Sequence, residues 1–375
     1  MKIGIVTFFC VPNYGAMLQA YALWHYLEDR GHEVEFIDYD FCRKLLPSFF
    51  RSFFTRHSSA ICKRLKMYFE RHMLDFARSY PCTRRFSSYS SLVTNCPKYD
   101  VLIVGSDQMW NPKWLSGERL RYVMLDFAPV NCRRISCSVS FGTDTWPDSP
   151  SSVLAGQMLR NFSAISVRED SGIKLTKKLS GRDDVKCLID PTMLYTSDYY
   201  SKLFSSHNSK NVSAHPYIFK YFLDHPEQQD NQNIVASIMS ETRITILKSD
   251  KIPIEGNLSF LGKKLGITSR RTVEDWLHCL ADASFVCTNS FHGTVFSLVF
   301  HRPFVSVLLE NVASEMNKRI LSLLGKVGLS DRAIYPNEVS KIPEIIKSRI
   351  NWNFVCRNID YERIKYMKFI EEVGL

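Results

Sequence analysis

The chain predicts an α/β protein built from two Rossmann-like domains with mainly parallel sheets, and three observations predict it. Short β-branched and aromatic runs alternate with stretches of helical spacing along both halves. That periodicity fades between Asp190 and Ser213, which marks a crossover. A length of 375 residues suffices for two full hydrophobic cores. The expected boundaries are 1–195, 196–350, and a terminal helix within 351–375 that packs back on the first domain.

In the first half, residues 2–9 read as a strand that Asn13-Tyr14-Gly15 breaks, and 17–27 follow with helical spacing. A second strand covers 33–39. The apolar stretch 100–104 ends in Gly105-Ser106-Asp107, and 134–141 ends at Gly142. Residues 164–167 lead into Arg168-Glu169-Asp170 and a helix, and 185–189 end at Asp190-Pro191. In the second half, 217–223 is a strand, 226–239 a helix and 244–247 a strand. The helix 272–283 carries Glu274 and Asp275 in its first turn, where the helix dipole favours acids. Residues 285–288 form a strand that runs into Ser290-Phe291-His292-Gly293, with a helix from Gly293 to Phe300. The last clear strand is 303–309, and 361–373 is an amphipathic terminal helix.

Composition excludes several classes. An apolar fraction of 45% and a charged fraction of 23% are ordinary for a soluble globular chain. No apolar run approaches the roughly 18 residues of a membrane span. Lys2 and the apolar run after it lack a small-residue cleavage pattern, so the segment reads as a strand rather than an export signal. The 11 cysteines are odd in number and scattered, with no paired C-x-x-C spacing, so no metal is expected and a reducing, cytoplasmic setting is.

The net charge of +10 is concentrated. Residues 43–85 hold eleven Lys or Arg against Glu70 and Asp75, interleaved with Phe49, Phe50, Phe53, Phe54, Phe69 and Phe76. This basic helical insertion reads first as a solvated helix packed on its own domain. A second use is peripheral contact with the inner face of the cytoplasmic membrane. Nucleic acid is not expected as a partner.

Ligands of open parallel sheets bind beyond the carboxyl ends of the strands. Four polar clusters fall there: Asn13-Tyr14-Gly15, Gly105-Ser106-Asp107-Gln108, Ser166-Val167-Arg168-Glu169 and Asn289-Ser290-Phe291-His292-Gly293. The fourth delivers Asn289, Ser290 and His292 to a helix start at Gly293, where free N–H groups suit an anion. His292 can bind phosphate or donate a proton. Arg168 offers a planar fork for a carboxylate or phosphate. Asp107 suits a general base on a hydroxyl, and Tyr14 and Trp110 could stack on a sugar. Each has a plain structural alternative: cap, ion pair or packing. The P-loop, the Gly-rich dinucleotide loop, the G-x-S-x-G elbow and H-E-x-x-H are all missing.

Together these pieces resemble the polysaccharide pyruvyl transferase family. The resemblance rests on residues 13–23, on Val104 to Asn111, and on Ser140-Phe141-Gly142. It continues through Ser166 to Asp170, Asp190-Pro191-Thr192, Thr288 to Gly293, Phe296-Ser297-Leu298 and Arg302-Pro303-Phe304, all in order. It implies a GT-B-like fold with the active site in the interdomain cleft. It implies transfer of a pyruvyl group from phosphoenolpyruvate, a co-substrate rather than a cofactor, to two hydroxyls of a sugar. That sugar would belong to a surface polysaccharide, such as an exopolysaccharide or capsule, or to its lipid-linked oligosaccharide precursor. The expected catalytic residues are His292, Arg168 and Asp107. The expected donor contacts are Arg168, Asn289, Ser290, His292 and Gly293. The expected acceptor contacts are Asn13, Tyr14, Gln19, Asp107, Gln108 and Asn111. The family's later basic residue lies in a Tyr-Asp-Pro-Lys context, where this chain reads Leu309-Glu310-Asn311-Val312; Lys318 or Arg319 is the expected substitute. Two other readings remain open: a GT-B glycosyltransferase using a nucleotide sugar, and a non-catalytic glycan-binding protein of a polysaccharide locus.

Overall fold

The computed structural model describes residues 1–39, 68, 70–205, 215–223, 232–254 and 268–375. Most of the expected basic insertion, 43–67 and 69, lies outside the described residues, as does the first part of the helix expected over 226–239.

The first half alternates strand and helix: β1 Lys2–Val6, α1 Tyr14–Glu28, β2 Glu33–Phe36, α2 Tyr89–Asn95, β3 Val101–Val104, α3 Glu118–Val123 and β4 Arg133–Val139. It continues with α4 Pro150–Leu159, β5 Ala164–Val167, α5 Asp170–Ser180 and β6 Lys186–Cys187. The second half holds α6 Ser197–Ser205, β7 Tyr217–Tyr221, α7 Gln232–Thr242, β8 Ile246–Ser249, β9 Lys251–Ile252, β10 Ser269–Arg270 and α8 Val273–Ala281. There follow β11 Phe285–Thr288, α9 Phe291–Val299, β12 Phe304–Val307, α10 Asn317–Val327, β13 Ala333–Ile334, α11 Ile342–Lys347 and α12 Trp352–Glu372.

Two parallel sheets result, in the orders β2-β1-β3-β4-β5-β6 and β13-β12-β11-β7-β8. The inner strands β3, β11 and β12 are buried at every position. This is why β3 reads as a continuous apolar run, and β11 and β12 as apolar runs with one small polar residue each, Thr288 and Ser306. The edge strand β2 alternates, with Val34 and Phe36 buried and Glu33 exposed. In the first sheet the chain leaves β1 toward β2 and then crosses to β3 on the other side. In the second it leaves β7 toward β8 and crosses back to β11. Each reversal opens a crevice at the carboxyl ends of the strands.

One buried apolar cluster joins the two sheets, running from Ile3, Ile5 and Met17 to Trp276, Val286 and Phe296. Tyr14 of α1 stacks on Trp276 of α8 with ring centroids 4.9 Å apart. Separate clusters fill the other face of each sheet. The terminal helix α12 begins at Trp352, nine residues before the predicted start, because its first turns carry core residues Val355 and Ile359. Its Arg363 donates to the carbonyls of Met193 and Tyr195 (2.7 and 3.0 Å), and Tyr366 meets Tyr26 edge-on. Among the described residues no helix is long and apolar enough to cross a membrane.

Candidate active site

The polar residues at the strand ends converge on one carboxylate. Asp190, which follows β6, is fully buried, and its Oδ2 accepts from Ser106 Oγ at 2.6 Å and from Arg168 Nη1 at 2.7 Å. Its Oδ1 accepts from the backbone N–H and the hydroxyl of Thr192 at 3.0 and 2.6 Å. His292 Nε2 approaches from α9, 3.7 Å from the same Oδ2. So the ends of β3, β5 and β6 in one sheet and of β11 in the other meet at Asp190. Burial alone would raise this carboxyl; the His292 imidazole, the Arg168 guanidinium and the Ser106 hydroxyl outweigh it and hold the group well below the usual carboxylate range.

Arg168 lies almost wholly buried over the Phe291 ring, 4.6 Å from its centroid. Its Nη2 is 3.6 Å from Asp107 Oδ1, too long for a hydrogen bond, and Nε and Nη2 have no hydrogen-bond partner. His292 Nε2 also has none. Buried donors are normally satisfied, so these atoms together mark a place for an acceptor-rich ligand. Gly15 backs His292: a Cβ there would overlap Nδ1 and Cγ of the imidazole. The glycine in Asn13-Tyr14-Gly15 thus lets α1 pack directly on the histidine.

Several predicted residues are committed to the fold instead. Tyr14 is fully buried, stacked on Trp276, and its hydroxyl donates to the Arg271 carbonyl at 2.9 Å, which leaves no ring face for a sugar. Gln19 donates to Thr7 Oγ1, Phe8 O and Ala16 O and accepts from Ser106 N–H at 2.9 Å, so it ties the β1 loop to the β3 loop. Asn13 caps α1 through Ala16 N–H, and Asn111 caps a turn through Lys113 N–H. Trp110 is core, with its indole on the Val123 carbonyl. Asn289 clamps the end of β7, bonding both N–H and C=O of Leu223 at 2.7 and 3.0 Å.

The helix expected to open at Gly293 opens at Phe291, with Ser290 as its cap. Ser290 Oγ already accepts the Gly293 N–H at 3.3 Å. A Cβ at Gly293 would overlap Thr288 Oγ1, so the glycine serves close helix-to-strand packing. Tyr14→Phe is therefore expected to cost about 1 kcal/mol of stability, the worth of one buried hydrogen bond, and to leave acceptor KM unchanged. Urea melts and acceptor titrations check this.

Two residues near the cluster, Asp190 and Glu169, carried no prediction as site residues, and Arg319 stood with Lys318 as one of two replacements for the family's later basic residue. Asp190 stood only as part of a motif. Glu169 Oε1 accepts from Ser140 Oγ, Phe141 N–H and Gly142 N–H at 3.0, 2.9 and 3.2 Å, fixing the loop after β4. Arg319 enters from α10, and its guanidinium lies 5.7 Å from the Phe291 centroid. The neighbouring Lys318 instead pairs with Asp144 at the surface (3.4 Å). Among the described residues no group of His, Cys, Asp and Glu could hold a metal.

The model of the polysaccharide pyruvyl transferase family matches residues 13–311. Among solved structures, UDP-GlcNAc 2-epimerase from Methanocaldococcus jannaschii shares 11% identity at a TM-score of 0.50, over 94% of this chain and 93% of that one. The protein LpCGTa, solved in complex with UDP, shares 11% identity at a TM-score of 0.51, over 100% of this chain and 99% of that one. Such identities show fold alone, the two-sheet arrangement of GT-B glycosyltransferases and UDP-GlcNAc 2-epimerases. No curated protein matches the chain. With the family match running from the α1 cap past β12, the chain belongs to the polysaccharide pyruvyl transferase family.

Proposed function

We propose that this transferase moves the pyruvyl group of phosphoenolpyruvate onto two hydroxyls of one sugar in a polysaccharide or its lipid-linked precursor. The observation that carries the reading is the meeting of Arg168 and His292, from different sheets, with buried donors that have no hydrogen-bond partner. Phosphoenolpyruvate bears a phosphate and a carboxylate, and both suit such donors. The α10 side of the second half would hold this donor, and the β1 and β3 loops would face the acceptor.

In the reaction, C3 of the enol takes a proton and C2 becomes oxocarbenium-like. A sugar hydroxyl adds to C2 and the C2–O bond to phosphate breaks. The second hydroxyl then closes the ketal, so one diol and one phosphoenolpyruvate give one ketal and one phosphate. His292 serves the phosphate as a donor and is placed to supply a proton. Asp107 keeps a partly exposed side chain at the end of β3 and is the base for the acceptor hydroxyl. Its Oδ1 accepts from Gln108 N–H at 2.7 Å, and that contact orients it. Asp190 touches no reacting atom in this scheme and positions Arg168.

His292→Ala is expected to abolish phosphate release from phosphoenolpyruvate, a loss of at least about 100-fold, with the protein still folded by circular dichroism. Retained turnover in a folded variant would overturn the assignment. The fold likeness to a protein solved with UDP supports a second reading, a nucleotide-sugar glycosyltransferase. That reading requires the melting temperature to rise with UDP and not with phosphoenolpyruvate.

A further inference from the structure

The outer face of α12 carries four exposed large apolar side chains, Phe354, Tyr361, Ile364 and Met367, at 43, 64, 49 and 42%. Twelve such side chains are exposed among the described residues, so a third of them lie on this one helix. Scattered apolar exposure is ordinary, whereas a run along one face marks a contact surface. The other face of α12 is spent on the core, where Val355, Ile359, Tyr366, Phe369 and Ile370 are buried.

The charges on the outer face are ordered about Ile364. Arg357 lies seven residues before it and Glu371 seven after. Asp360 lies four before and Lys368 four after, and Tyr361 and Met367 lie three to either side. At 3.6 residues per turn all six fall within about 60° of Ile364 around the helix axis, and all six are exposed. The signs run plus, minus, plus, minus along the helix, so read backwards each position carries the opposite charge. Arg357, Lys368 and Glu371 make no ion pair among the described residues. Asp360 pairs with Arg363 of its own helix at 2.8 Å.

We infer that this face docks on the same face of a second copy of the chain, with the two α12 helices antiparallel about a two-fold axis beside Ile364. That axis sets Arg357 against the partner's Glu371, Asp360 against the partner's Lys368, and Ile364 against its own copy. Tyr361 and Met367 close the flanks. Each contact occurs twice, as a two-fold interface requires. Charge selects this register over its neighbours. A parallel pair sets every charge against its own copy. An antiparallel axis midway between Tyr361 and Ile364 sets Arg357 against the partner's Lys368. An axis level with Tyr366 sets Asp360 against the partner's Glu372.

A lipid surface is the other occupant that an exposed apolar helix face suits, but it needs a basic excess. Here Asp360 and Glu371 balance Arg357 and Lys368, so a self-complementary partner fits and an anionic bilayer does not. A seam of 21 residues is about 30 Å long. It falls short of the roughly 800 Å² per partner of a standard interface, so the expected Kd is on the order of micromolar.

The test is sedimentation equilibrium of the full chain over a concentration series, with circular dichroism to show that each variant is folded. The wild type should pass from monomer to dimer and no further, since the interface is closed. Ile364→Asp sets two carboxylates against each other at the axis and should raise Kd about 100-fold or more. Half of Ile364 is already exposed, so the fold should survive. Arg357→Glu and Glu371→Arg should each raise Kd about 10-fold, and the double variant should return to within about threefold of wild type. A wild type that stays monomeric overturns the inference. So does a dimer indifferent to Ile364→Asp, or a double variant as weak as the two single losses added. A monomer that co-sediments with vesicles of phosphatidylcholine and phosphatidylglycerol, and fails to do so as Ile364→Asp, also overturns it and assigns the face to lipid.

Discussion

Replacing Asp190 by Ala is expected to cost about 3–5 kcal/mol of folding stability, the penalty for leaving a buried partner charge uncompensated. Four hydrogen bonds end on this carboxylate, and Arg168 beside it has no other hydrogen-bond acceptor. Urea unfolding followed by fluorescence measures the loss. Ser106→Ala removes one of the four bonds and should cost about 1.5–3 kcal/mol. The pH dependence follows from the sign of the shift. Asp190 has a folded pKa held below its unfolded value. Its contribution is fully present above the unfolded value of about 4 and is lost as the pH falls toward the depressed folded value. Acid titration of stability should therefore be shallower in Asp190→Ala than in wild type below about pH 4.

Gly15→Ala is the second large effect, and it falls on activity. The new methyl would occupy the space of the His292 imidazole, within a helix buried at that end. The ring must move, and a displacement of about 1 Å at a reacting group can cost about 100-fold in rate. The expected result is a fall in kcat/KM of about that size, with a stability loss of about 1–3 kcal/mol from overpacking. Gly325→Ala is the control. A Cβ at Gly325 meets nothing within 4 Å, so the change should be neutral or stabilise α10 by up to about 1 kcal/mol. Equal activity losses in the two variants would contradict the role given to Gly15.

How much of this was legible in the sequence depended on what each residue's signal was. The strands 164–167 and 285–288 were readable to the residue, because buried parallel strands are short, mostly apolar runs, here with Ser166 and Thr288 as their one polar residue each. The start of α9 was misplaced by two residues. Gly293 looked like an opening glycine, whereas its smallness serves contact with Thr288, and the true signal was the Ser290 cap. Strand-end residues were found as a set, since topology alone puts them near a crevice. Their individual duties were not, because a capping Asn13, a stacked Tyr14 and a saturated Gln19 look identical in sequence to ligand-binding ones.

Asp190 and Arg319 show the complementary limit. Asp190 precedes Pro191-Thr192 and reads as a turn aspartate; only the packing of β5 and α9 beside it brings Arg168 and His292 together. Arg319 is one cation in the amphipathic helix NKRILSLLGKV. Nothing local separates it from Lys318, which faces solvent and Asp144. The difference is tertiary: Arg319 points at Gln108 and Phe291 of a neighbouring layer. The basic stretch from 43 to 85 stays a feature of composition, with most of it outside the described residues.

The central claim is a transfer of pyruvate as a cyclic ketal, and the product's mass tests it most directly. The protein is incubated with phosphoenolpyruvate and a panel of lipid-linked or nitrophenyl glycosides, and each glycoside is weighed by mass spectrometry. The account predicts that one acceptor gains the mass of pyruvic acid less one water, with one phosphate released per product, and that His292→Ala gives neither. No gain with phosphoenolpyruvate, together with a gain of one sugar residue when a UDP-sugar is supplied, would contradict it.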